Sequence, residues 1–176
     1  MDQLLTLPIS PRDFVDKIVA PALALLPDAM DTPQARVMLT AIALQESALN
    51  ARRQMPTGPA RGLLQFEEGT RASRGGVWGV YLHEASRFWL DRLCRARGVP
   101  FAPREIWSAL ETDDVLAAGV ARLLLFTDPR RLPAIHDTNG AWDLYARTWR
   151  PGKPHPTKWP DNHRRARQAA GVTDQP

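Results

Sequence analysis

The sequence predicts an all-α fold, or an α-dominated α+β one, on three observations. Apolar residues recur three and four apart through most of the chain. Helix-start signals, a small polar residue followed by proline or acid, punctuate it repeatedly. No stretch shows the period of two that a half-buried strand needs. With 176 residues, 44% apolar and 24% charged, residues 1–176 are expected to form one domain around a self-sufficient core.

Each element follows in turn. Ser10-Pro11-Arg12-Asp13 carries an N-cap, a proline at the first helical position and an acid in the first turn; Phe14, Ile18, Ala22 and Leu25 then keep helical spacing. Asp31-Thr32-Pro33 opens a second helix through Val37, Leu39, Ile42, Ala43 and Leu44 towards Asn50. Pro56, Gly58, Pro59 and Gly62 break it into a loop, where a small hairpin near residues 52–66 fits as well as an irregular turn. A helix over about 80–97 presents Leu82, Ala85, Trp89 and Leu93 and stops at Gly98. A short helix over 103–110 precedes a longer one from Thr112 to Phe126, capped by Thr112. Trp142, Tyr145, Ala146 and Trp149 share one side of a helix over about 139–149. Four prolines in the stretch from Arg150 through Pro160 predict a semi-rigid arm, and a basic helix over about 161–170 closes the chain.

Twenty-three Lys and Arg against 19 Asp and Glu leave a net +4, which suits an anionic partner: nucleic acid, cell-wall polymer or lipid headgroups. Cys94 is alone and the four histidines, at 83, 136, 155 and 163, have no metal-ligand spacing, so neither a metal nor another cofactor is expected. The first residues lack the basic n-region of an export signal. The longest apolar run, Ile18 to Pro27, is interrupted by Pro21 and falls short of the roughly 20 residues that span a bilayer.

The stretch that points to chemistry is Ala43-Leu44-Gln45-Glu46-Ser47. Leu39, Ile42, Ala43 and Glu46 fall at i, i+3, i+4 and i+7, so one carboxylate shares the face used for burial. Apolar surroundings disfavour its ionised form, and a proton retained near neutral pH is what a general acid needs. The alternative is a surface ion pair with Arg52 or Arg53.

Glu46-Ser47, followed by Gly62-Leu63-Leu64-Gln65, resembles the soluble-lytic-transglycosylase branch of the lysozyme-like superfamily, whose signature is Glu-Ser and then Gly-Leu-Met/Leu-Gln. The match is close over about residues 37–70, and the remainder looks like the shorter phage-type members. The resemblance implies a lysozyme-like helical domain with a catalytic core over about 31–150 and a basic proline-rich arm and terminal helix over 151–176. It implies a peptidoglycan lytic transglycosylase in which Glu46 is the sole acid/base and Ser47 helps orient the substrate. Gly62, Leu63, Leu64 and Gln65 would line the sugar groove, the glycine letting a sugar approach the backbone. The family's Ala-Tyr-Asn motif is absent; Tyr145 is its best substitute, with a hydroxyl able to bond the carboxyl.

Most glycosidases need two carboxylates, and Glu67, Glu68 and Asp137 are the candidates for a second. In the family resembled, the muramyl C6 hydroxyl replaces it. The expected partner is therefore the peptidoglycan glycan strand, with other phage virion or tail proteins, and the expected place of action the host wall in the periplasm after synthesis in the cytoplasm. The alternatives are a hydrolytic lysozyme or endolysin on the same fold, and a non-catalytic structural or wall-binding virion component. Arg52, Arg53, Arg61, Arg71 and Arg74 flank the expected groove in sequence. Arg147, Arg150, Lys153 and Lys158 interleave with Trp149 and Trp159 as in nucleic-acid binders, but no nucleic-acid motif accompanies them, so nucleic acid ranks low.

Overall fold

The computed structural model describes residues 3–173. Met1 and Asp2, part of the stretch read for an export signal, and 174–176, the end of the terminal segment, lie outside them. Among the described residues the chain is helical and contains no sheet. The hairpin expected near 52–66 is reduced to two isolated antiparallel bridges, Arg53 with Arg61 and Arg61 with Phe66.

Ser10 caps α1 (Pro11–Phe14), its hydroxyl accepting from the Asp13 N–H at 3.1 Å. The chain continues through a wide π turn (Val15–Val19) into α2 (Ala20–Leu23). The widening falls directly before Pro21, which has no N–H to close an α turn. Thr32 caps α3 (Pro33–Ser47) through the Ala35 N–H at 3.1 Å. The expected single helix over 80–97 is two, α4 (Gly76–Leu82) and α5 (Glu84–Arg97). His83, in an extended conformation, divides them because its ring accepts from the Ala85 N–H at 3.1 Å and caps α5. After α6 (Pro103–Ala109), the cap of α7 (Asp114–Thr127) is Asp113, one residue past the expected Thr112; its carboxylate takes the Leu116 N–H at 2.9 Å and pairs with Arg97.

Helix α7 is buried from Asp114 to Leu125 and runs through the centre, packed by α2, α3, α4 and α5. It is apolar on nearly every side, as a central helix must be. Asp137 caps α8 (Thr138–Trp149), accepting from the Gly140 N–H at 2.9 Å. The chain then crosses 151–155 and a 3-10 turn (Pro156–Lys158) into α9 (Trp159–Ala169), which lies along α3 and against α8. The arm is shorter than expected: Trp159 is already core, 2% exposed. Buried residues from Ile9 to Ala166 form one apolar cluster. No described helix is long and apolar enough to cross a membrane.

Candidate active site

Glu46 stands where α3 leaves the core. Val37 to Leu44 are buried on all sides, whereas Gln45, Glu46 and Ser47 are half-buried. The expected apolar stripe is thus a fully buried helix, and the carboxyl sits at its end, at the edge of a cleft. Burial pushes the Glu46 carboxyl above its usual range. The C-terminal end of the α3 dipole, which disfavours negative charge, acts in the same direction.

The Tyr145 hydroxyl, from α8, donates to Glu46 Oε1 at 2.5 Å and partly opposes that rise. The tyrosine is 2% exposed; burial, then the charge and hydrogen bond of Glu46, raise its own pKa, so it stays a donor. Its ring stacks on Trp159 at 5.2 Å and 10° between planes, and Trp159 in turn stacks on His163 at 6.0 Å. The Trp159 N–H donates to the Thr138 carbonyl at 3.0 Å. The α9 helix therefore fixes the ring that holds Glu46.

Two hollows, of about 610 and 720 Å³, share Gln45, Glu46, Gln54, Gln65 and His155 in their walls. Glu46 lies at their junction. Segment 61–66 closes on itself, Arg61 and Phe66 exchanging backbone hydrogen bonds at 2.8 and 2.9 Å. Gln65, at a left-handed φ of 52°, donates its side-chain amide to the Gly62 carbonyl at 2.9 Å and faces both hollows.

The other members of that segment do different work from what their sequence suggests. Leu63 and Leu64 are buried and line neither hollow. Gly62, at φ 78°, faces away from the cleft: a Cβ there would stand 2.8 Å from the Leu110 carbonyl oxygen. It is glycine because the backbone packs on the end of α6, not to admit a sugar. Ser47 borders the smaller hollow, but its hydroxyl donates to the Leu63 carbonyl at 2.6 Å and accepts from the Leu49 N–H at 3.2 Å. It ties α3 to segment 61–66. The Trp149 N–H ties α8 to the same segment through the Leu64 carbonyl at 3.0 Å.

Of the five arginines expected along the groove, Arg53 alone lines either hollow. Arg52 is half-buried in a two-pronged pair with Asp114 at 2.8 and 2.9 Å, Arg61 pairs with Glu111, and Arg71 lies over the Trp78 ring. Arg74 is exposed and offers its backbone carbonyl to Arg150. Among the candidate second carboxylates, Glu67 borders the larger hollow, Glu68 pairs with Arg104 and Asp137 caps α8. The tryptophans expected to interleave with the arm's cations are packed: Trp159 in the core, Trp149 against Phe66 at 5.4 Å. Arg147 pairs with Asp128 at 2.7 Å.

Sequence reasoning did not single out Gln45, Asn162 or His155 as site residues. The Gln45 amide donates to the His155 carbonyl at 2.9 Å and accepts from the Asn162 amide at 2.9 Å, which clamps the arm and α9 beside Glu46. Gln45 adjoins Glu46 in sequence; nothing local marks Asn162, more than a hundred residues away. No three His, Cys, Asp or Glu side chains among the described residues are grouped to hold a metal ion. Compared with known proteins, the chain matches no protein-family description, and neither curated proteins nor solved structures yield a significant match.

Proposed function

We propose that the chain is a peptidoglycan lytic transglycosylase with a lysozyme-like catalytic fold, carried by a phage virion and acting on the host wall. The observation that carries this is the Glu46–Tyr145 contact at the junction of two hollows: one carboxyl, held toward its protonated form, facing a groove on both sides. Glu46 protonates the bridging oxygen between N-acetylmuramic acid and N-acetylglucosamine. The C1–O bond breaks with its electron pair passing to that oxygen. The resulting carboxylate then takes the proton of the muramyl C6 hydroxyl as O6 bonds to C1, closing the 1,6-anhydro ring. One group serves both half-reactions, and no water enters.

Tyr145 occupies one carboxyl oxygen, which leaves the other for substrate. Gln65 faces both hollows, and its side-chain oxygen, on the far side of the amide from the bond to Gly62, is placed to accept from the glycan's hydroxyl and N-acetyl groups. Glu67, the other carboxylate bordering the larger hollow, favours a second reading in which it activates a water and the product is hydrolytic.

Digestion of purified sacculi tests both. Glu46→Gln is expected to keep the fold and lose about 10² to 10⁴-fold in rate, the usual contribution of a general acid. Products lighter by one water than hydrolytic muropeptides support the transglycosylase; products of full mass, abolished by Glu67→Gln, support the hydrolase. Binding to the wall without any digestion leaves a non-catalytic wall-binding protein.

A further inference from the structure

Arg150 ends α8 in a left-handed conformation, φ 49°, its N–H closing on the Ala146 carbonyl at 3.0 Å. That turn throws the arm off the helix axis. The exposed guanidinium reaches across to the opposite wall, where its one hydrogen bond among the described residues is a long one to the Arg74 carbonyl at 3.4 Å. It lies over Gly75, where a Cβ would stand 3.2 Å from Nη2, so the absence of a side chain there leaves it room. Lys153, exposed, borders the same hollow three residues on.

Neither cation has an acidic partner at ion-pair distance among the described residues, unlike Arg147 on the preceding turn. Of the two carboxyls bordering this hollow, Glu46 is held toward neutrality, which leaves Glu67 to oppose two positive charges. A planar guanidinium with most of its donors uncommitted matches a carboxylate in two-pronged geometry.

We propose that Arg150 and Lys153 form a carboxylate-binding subsite at the mouth of the larger hollow, recognising a free acid carried by the glycan bound at Glu46. Resting on the function proposed above, it makes the acid-bearing peptide stems of the wall, and not the bare sugar chain, the preferred ligand. Two cations about one hollow give such a ligand both orientation and charge attraction.

The test is co-sedimentation of the Glu46→Gln protein with purified sacculi stripped of phosphate polymers, either native or with their carboxyls amidated. Arg150→Asn, whose side chain tolerates the left-handed backbone, is combined with the exposed Lys153→Ala. The pair is expected to weaken binding to native sacculi about tenfold. Amidation is expected to weaken the parent by a similar factor and to bring parent and variant to the same affinity. An equal loss on native and amidated wall, or no loss on either, overturns the subsite. Binding that disappears on stripping assigns the cations to phosphate and also overturns it. Thermal melting of the variant alongside the parent checks its fold, and Arg150→Lys with Lys153 intact is expected to fall between the two. If the unsubstituted chain fails to digest sacculi but the charge-dependent binding stands, the acid/base assignment fails and the subsite survives.

Discussion

Segment 61–66 and the arm with α9 both border Glu46, and they contribute in opposite ways. The first carries the residues with a recognisable spacing, yet Gly62, Leu63 and Leu64 serve packing, and of these four motif residues only Gln65 borders the cleft, with Phe66 beside it. The second carries no motif, yet it supplies the Trp159 stack under Tyr145, the Asn162–Gln45 clamp and the Arg150 and Lys153 cations. A motif of consecutive residues reports a backbone shape, because φ, closure and local burial are set by neighbours in the chain. What surrounds a reacting group is assembled from distant segments and leaves no local trace.

The sharpest way to break this comparison is to remove the stack. Trp159→Ala is expected to cost about 3–5 kcal/mol, the range for a large aromatic deleted from a core, and to lower the urea midpoint accordingly. Variants that still fold should lose activity beyond their loss of folded protein, because Tyr145 is no longer held. Gly62→Ala comes next: a non-glycine side chain at φ 78°, facing a backbone carbonyl at 2.8 Å, should cost about 1–3 kcal/mol. Its folded fraction should bind sacculi as the parent does, since the glycine faces away from the cleft. Weaker binding per folded molecule would return Gly62 to the groove.

How much was legible follows the same division. The helix starts at Ser10, Thr32 and Pro103 were readable because caps and prolines act within one turn. The division at His83 was not, because histidine is a weak capping signal and the apolar spacing runs on across the break. Glu46 was singled out by its place after Leu39, Ile42 and Ala43, though burial on all sides of α3, and not on one face, sets its surroundings. The contact of Tyr145 with it joins residues 99 apart; spacing on α8 gave the side on which the ring lies, and the family resemblance, not any local signal, set its hydroxyl against the carboxyl. Arg52 looks like a groove cation for lack of any sign that Asp114, 62 residues on, pairs with it away from the cleft.

His163 offers a pH handle on α9. Its Nδ1 faces Arg167 at 2.6 Å and Thr138 at 3.1 Å, an acceptor's position, since arginine can only donate. Burial first, then the charges of Arg167 and His136, hold its pKa down at about 4, with Asp137 opposing. The unfolded chain thus binds a proton between about pH 6.5 and 4 that the folded chain does not. Stability is complete above that window and falls as pH drops through it. Urea midpoints measured from pH 7 to 4 should show a slope that His163→Gln, which cannot titrate, removes in part.

The smallest expected effect is the most specific to the site. Tyr145→Phe deletes one hydroxyl and keeps the ring on Trp159, so its stability cost should be about 0.5–1.5 kcal/mol, that of one hydrogen bond. Its consequence for Glu46 has a definite sign. The hydroxyl's bond to Oε1 favours the carboxylate and opposes the effect of burial, so its removal lets the pKa rise further. A group that must begin protonated loses activity on the alkaline side as it ionises. The alkaline limb of the rate profile should therefore move to higher pH in Tyr145→Phe, while the maximal rate falls because the carboxyl is less firmly oriented. A limb that stays in place, with the rate lowered alone, would make Tyr145 a packing residue of α8 and leave the proton on Glu46 governed by burial.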